Sequence, residues 1–121
     1  MTDDRYALRC DRVRQILRKK RWDALLVTRP ANVFYLTGFT GEDSYLLLTT
    51  DSRRMLSDFR FEEQLREECP GLATAIRDTA TPLVKHAARV IHKSRLARIG
   101  FESSSVTVWS LDQMVSDTPR T

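Results

Sequence analysis

Residues 24–59 read ALLVTRPANVFYLTGFTGEDSYLLLTTDSRRMLSDF, and the order of their apolar runs and breakers decides the fold. Residues 24–28, ALLVT, are a short continuous apolar run, the pattern of a strand covered on both faces. Arg29-Pro30 stops that run, and Pro30 suits the first turn of a helix, where its missing N–H is not needed. A short helix is expected over residues 32–37. Gly38 and Gly41 then supply backbone freedom for an irregular loop. Residues 44–49, SYLLLT, predict a second strand, and residues 53–59, RRMLSDF, a third. Only Thr50-Asp51-Ser52 separates the two, so they are expected to form an antiparallel hairpin.

The flanks extend the pattern. Residues 3–21 read as an amphipathic helix, capped by Thr2, with Asp3 and Asp4 complementing its N-terminal dipole. Tyr6, Cys10, Val13 and Leu17 recur at helical spacing, with Ile16 at the edge of the stripe. Phe61, Leu65 and Cys69 predict a helix that Pro70-Gly71 ends. A strand follows near ATAIRD, residues 73–78. Thr81 and Pro82 then open a helix with Val84, Ala87, Ala88 and Ile91 on its buried face. Residues 98–102, RIGFE, predict a fifth strand. A last helix carries Val108, Trp109, Leu111, Met114 and Val115, before a polar tail. Helices alternating with strands imply a layered α/β domain, and the hairpin makes its sheet mixed.

The chain has 121 residues, enough for one domain with a real core. Apolar residues make up 41% and charged residues 30%, the balance of a soluble globular protein. No apolar run approaches the roughly 20 residues of a membrane span. The charged start, MTDDRYALRCDRVRQ, is no secretory signal. Cys10 and Cys69 lie far apart and lack metal-ligand spacing, so they read as buried thiols of a reducing compartment. The net charge is +4, with basic residues crowded between Arg5 and Arg21. A nucleic-acid patch is one reading of that cluster. A solvated helix face is favoured, because no aromatics interleave for base stacking and the run ends where cations suit the helix dipole.

Several chemistries are missing from the sequence. It contains no phosphate-binding glycine loop, no H-E-x-x-H, no C-x-x-C and no nucleophile elbow. The two histidines, His86 and His92, share the fourth helix but sit about 120° apart on it, too far for one ion, and read as exposed. Asp58 stands out at the end of an apolar strand, where residues often point into a site. The plainer reading, favoured on physical grounds, is an N-cap for a helix starting near Arg60. Taken alone, the residues describe an α/β domain without a self-contained active site.

Four segments carry a resemblance. Ala24 to Thr28, then Pro30, Asn32-Val33 and Tyr35-Leu36-Thr37-Gly38-Phe39, resemble the first strand and loop of the creatinase/prolidase N-terminal domain. Residues 44–49 continue the match, as do Ser57-Asp58-Phe59-Arg60-Phe61-Glu62-Glu63-Gln64 and Ile99-Gly100-Phe101-Glu102. N-x-x-Y-L-T-G-F is quite specific, and the weaker segments support it by their order. Two departures stand out. Phe61 replaces the family's usual Tyr, and the chain ends where the family adds a final strand and a linker.

The resemblance implies a ribonuclease H-like three-layer α/β domain with a mixed, mostly parallel sheet of five to six strands. It implies that residues 1–121 form the N-terminal domain of an Xaa-Pro metallopeptidase, a prolidase or aminopeptidase P, truncated before its last strand. The pita-bread catalytic domain would be absent, and with it the aspartates, histidine and glutamates that hold two divalent metals, usually manganese or cobalt. No catalytic or metal-binding residue and no cofactor is then expected in this chain. Its partners would be its own C-terminal domain, a second copy in a homodimer and, in the whole protein, a proline-containing peptide. A cytoplasmic location follows. Nucleic-acid and membrane partners are not expected.

In such a protein this domain would help build the dimer and close the neighbouring subunit's substrate pocket. Tyr35 and Phe39 are candidates for that contact, with core packing an equal alternative for each. Asp58 and Arg60 are candidates for the substrate's charged terminus, while Gly38 and Gly41 shape the backbone. Two other readings stay open. One is a stand-alone module binding protein or peptide at a sheet edge. The other is the N-terminal domain of a creatinase-type amidinohydrolase.

Overall fold

The computed structural model describes residues 4–102. The expected cap at Thr2, the last helix and the tail lie outside the described residues.

Helix α1 spans Asp4–Lys20 and buries Cys10 and Leu17, with Tyr6 and Val13 half-buried beside them. Ile16, at the edge of the stripe, is exposed. The helix ends when Arg21 turns left-handed at φ 60. Trp22 N–H then donates to Leu17 O at 2.9 Å and Arg21 N–H to Arg18 O at 3.2 Å, the paired bonds of a Schellman stop.

Next come β1 (Ala24–Val27), α2 (Pro30–Thr37), β2 (Tyr45–Thr49) and β3 (Arg53–Ser57). A 3₁₀ turn (Phe59–Phe61) leads into α3 (Glu62–Glu68), followed by β4 (Ala73–Ile76), α4 (Leu83–Lys93) and β5 (Ile99–Phe101). The sheet order is β4-β3-β2-β1-β5. β2 pairs antiparallel with β1 and with β3, and the hairpin register sets Tyr45 opposite Leu56. β5 lies parallel to β1 and β4 parallel to β3. Four strands therefore run one way and β2 runs against them, the expected mixed sheet.

Side chains alternate across that sheet and so build two cores. Val27, Leu46, Leu48 and Met55 pack against Cys10, Val33, Leu36 and Leu65 of the first three helices. Ala24, Leu26, Leu47 and Leu56 pack against Val84, Ala87, Ala88 and Ile91 of α4. The result is three layers, helices over both faces of a sheet whose β1 is buried from each side. Each fully buried Leu contributes about 1.5–3 kcal/mol of transfer free energy.

Three local expectations need correction. β3 stops at Ser57, two residues early, because the Asp58 carboxylate accepts from Arg60 N–H and turns the chain into the 3₁₀ segment. Thr81 does not cap α4. Pro82 holds the N-cap position without a side-chain cap bond, and the Thr81 hydroxyl accepts from Arg89 Nη1 at 3.4 Å instead. His92 is exposed as expected, but His86 is half-buried, with Nε2 2.8 Å from Ala75 O.

At the edge of the sheet, Gly100 lets Trp22 lie flat on β5, and a Cβ there would overlap the indole ring. Gly100→Ala should therefore lower stability by about 2 kcal/mol, a typical overpacking cost. Urea unfolding followed by Trp fluorescence measures it, and an unchanged midpoint would mean the ring moves freely.

Candidate functional site

β2 runs against its neighbours, so its first residues sit beside the last residues of β1 and β3. Ser44 Oγ lies 2.7 Å from Ser57 Oγ across that junction. Arg77, one residue past β4, donates its N–H to Ser57 O at 2.8 Å. The ends of three parallel strands thus meet at one rim, the usual position of sites in such sheets. A depression of about 350 Å³ opens there, lined by Thr28, Pro30, Asp43, Ser44, Tyr45, Arg60, Arg77 and Leu83.

Asp58 anchors this rim from beneath. Its carboxylate is 1% exposed and accepts four bonds. Oδ1 takes Arg60 N–H and Arg60 Nε, both at 2.9 Å. Oδ2 takes Arg60 Nη2 at 2.7 Å and Arg77 Nη2 at 3.3 Å. The Arg60 side-chain bonds hold the Asp58 carboxyl below the usual range, against the opposing effect of burial. Its amide N–H and the charges of Arg60 and Arg77 add to the lowering. Arg60 is raised in turn, chiefly by the same bonds.

Arg60 has a second face. Its side chain is 50% exposed, and Nη2 also reaches Asp43 Oδ2 at 3.4 Å. Asp43 is 66% exposed, so solvent screens most of that pair. Among the described residues Arg60 Nη1 donates to nothing. Two buried polar atoms near this rim, Thr28 Oγ1 and Arg77 Nε, also lack a partner. Burial and the Asp43 charge raise the Tyr45 phenol in the depression wall. An uncommitted guanidinium edge over unpaired polar groups is suited to a carboxylate.

The other candidates lie at the end of α2. Gly38 closes that helix at φ 82, and a Cβ there would meet the Tyr6 ring at 2.9 Å. Gly41 has no room for a Cβ because the Phe39 ring covers it. Phe39 is 1% exposed and packs edge-on against Phe61, with ring centroids 6.0 Å apart. It is therefore a core residue rather than an exposed contact. Tyr35 is 49% exposed, with the Arg9 guanidinium stacked 4.1 Å from its ring centroid. The structure thus joins Asp58 and Arg60, and leaves Tyr35 on a separate surface.

Sequence reasoning missed other anchors. Glu68 takes Thr40 N–H at 2.7 Å and ties the glycine loop to α3. Glu102 takes Arg29 N–H at 3.0 Å and Asn32 Nδ2 at 3.2 Å at the start of α2. The basic run of α1 is partly committed as well. Arg9, Arg14 and Arg18 donate to the carbonyls of Tyr35, Thr49 and Thr50. Both cysteines are free thiols buried in the first core.

No group of three or more metal-ligating side chains exists among the described residues. Asp58 is already saturated by arginines, so these residues do not fit the two metals the resemblance implied. No helix among them is long and apolar enough to cross a membrane.

Residues 9–120 match the creatinase/prolidase N-terminal domain, and the chain belongs to that family. The fold agrees. The N-terminal domain of the cytoplasmic peptidase PepQ of Mycobacterium tuberculosis superposes with TM-score 0.82 at 29% identity, over 91% of this chain and 84% of that one. An Xaa-Pro dipeptidase of Bacillus anthracis has the same fold, with TM-score 0.84 at 20% identity, over 95% of this chain but 32% of that one. An uncharacterised peptidase of Bacillus subtilis, YqhT, is 28% identical over 100 residues, which cover 83% of this chain. The chain spans 28% of that relative's length.

The Asp58 cluster makes a pH prediction. Because the folded carboxyl is lowered, its contribution is complete above the unfolded value, about 3.9, and is lost as pH falls through the folded value. Asp58→Asn should cost about 2 kcal/mol at pH 7 by leaving two guanidiniums without their anion. The gap from wild type should shrink below about pH 4. Urea titrations at pH 7 and pH 3 test this, and a gap that stays constant would remove the carboxylate from the account.

Proposed function

We propose that this chain is the non-catalytic N-terminal domain of an Xaa-Pro metallopeptidase, a prolidase or aminopeptidase P. The observation that carries the reading is a family and fold match over nearly the whole chain, combined with a lack of metal-ligating clusters among the described residues. Two divalent metals, manganese or cobalt, belong in this reading to a catalytic domain that follows. They would supply an activated water there.

The domain's part is to complete a neighbouring subunit's pocket in a cytoplasmic homodimer. Arg60 is the group best placed for a ligand, since its free edge matches the C-terminal carboxylate of a short, proline-containing peptide. Asp58 does not touch that ligand, because its oxygens are occupied from within the domain. Tyr35, an exposed aromatic stiffened by Arg9, is suited to the dimer contact.

The test is the full reading frame containing this chain, purified with manganese or cobalt. It should hydrolyse Xaa-Pro dipeptides, whereas residues 1–121 alone should not. It should sediment as a dimer, and Tyr35→Ser should raise the dimer dissociation constant about tenfold or more, as for an interface hot spot. Hydrolysis of creatine in place of dipeptides would assign the protein to the amidinohydrolase branch. Activity in residues 1–121 alone, or none in the full frame with either substrate, would overturn the reading.

A further inference from the structure

We propose that Arg77 is the positioning residue for Arg60: through the carboxylate they share, it sets the direction in which Arg60 presents its free guanidinium edge. The inference rests on Arg60 binding the ligand's carboxylate, and it adds a residue that never touches the ligand.

A lone aspartate is a poor brace. Its carboxylate can turn about the Cβ–Cγ bond and carry a paired guanidinium with it. Here the turn is blocked. Oδ1 is held by Arg60 N–H, and Oδ2 is held from the other side by Arg77 Nη2 at 3.3 Å. Arg77 is fixed in its own right. Its Nη1 donates to Thr81 O at 3.0 Å and Asp78 O at 3.4 Å, and its N–H closes the end of β4 onto β3. The brace therefore runs from the α4 approach through Arg77 and Asp58 to Arg60. A forked, planar cation holds a carboxylate and a carbonyl at once in a fixed relative direction.

Charge acts in the same direction. Arg77 is 20% exposed and Asp58 2%, so solvent screens their pairing little. Asp58 shared between two guanidiniums neutralises Arg60 only in part, and the remainder is available at the mouth. With Arg77 removed, Asp58 would pair with Arg60 alone and weaken its pull on a second anion.

The experiment uses the full-length, metal-loaded protein with an Xaa-Pro dipeptide and its C-terminal amide. Arg77→Met should raise KM for the dipeptide about tenfold, the loss expected from one misaligned charge-assisted hydrogen bond. KM for the amide, and kcat for both, should stay at wild-type values. Arg77→Lys keeps the charge without the fork and should raise KM for the dipeptide alone by a smaller factor. Arg60→Met is the control and should show the same selectivity more strongly. Equal losses on both substrates in Arg77→Met would mean a merely structural role. A selective Arg60→Met beside wild-type Arg77 variants would overturn the positioning role and leave the Arg60 reading intact. An unselective Arg60→Met would remove both. If Arg77→Met fails to fold by circular dichroism, Arg77→Lys decides, and a wild-type dipeptide KM there overturns the proposal.

Discussion

One carboxylate buried under the sheet rim holds this end of the sheet together. An isolated charge at 1% exposure would be strongly unfavourable, so Asp58 stays ionised through its arginine partners, chiefly Arg60. That requirement ties distant pieces of chain together. Arg60 fixes the 3₁₀ turn and thereby the start of α3. Arg77 fixes the end of β4 and the loop into α4. Losing either arginine removes part of what holds this anion. The geometry of the rim therefore follows from satisfying one carboxylate.

The same logic, with weaker donors, holds α2. An eight-residue helix is too short to persist alone. Its last carbonyls each find a separate donor. Thr37 Oγ1 donates to Val33 O and Gly38 N–H to Phe34 O. Arg9 donates to Tyr35 O, the Cys10 thiol to Leu36 O and the Cys69 thiol to Thr37 O. Glu102 closes the other end through Arg29 N–H and Asn32. Both thiols thus act as donors, and burial pushes the Cys69 thiol up. Helix, glycine loop and exposed Tyr35 are set by contacts from α1, α3 and the end of β5.

This division explains what the sequence disclosed. Local signals were legible. The apolar runs gave β1 and β2, Pro30 gave the start of α2, and the short turn gave the hairpin. Gly38 and Gly41 gave the irregular loop after α2. Asp58 was legible as a cap, and one oxygen does cap, while both oxygens brace Arg60. Long-range partners were not legible. Arg77 meets Asp58 from nineteen residues away, and Glu102 meets Asn32 from seventy. Nothing in periodicity or propensity links such positions. Phe39 illustrates the limit. Beside two glycines it reads equally as an exposed contact or a core residue, and the Phe61 ring, packed perpendicular to it, decides for the core. Phe61 has no hydroxyl, so this contact places no polar group in the first core.

Rigidity at both places bears on what each exposed side chain can offer a partner. Tyr35 and Arg60 are both exposed side chains whose bases are immobilised, one by Arg9 and the helix end, the other by Asp58. A flexible arginine would lose rotamer freedom on binding, about 2 kcal/mol for the whole side chain. Arg60 has given up most of that freedom on folding, since Nε and Nη2 are already engaged. Its remaining edge can meet an anion at little further entropic cost. The buried carboxylate beneath it lowers the raw charge but fixes its direction. For a guanidinium that is to meet an anion, direction is the scarcer property.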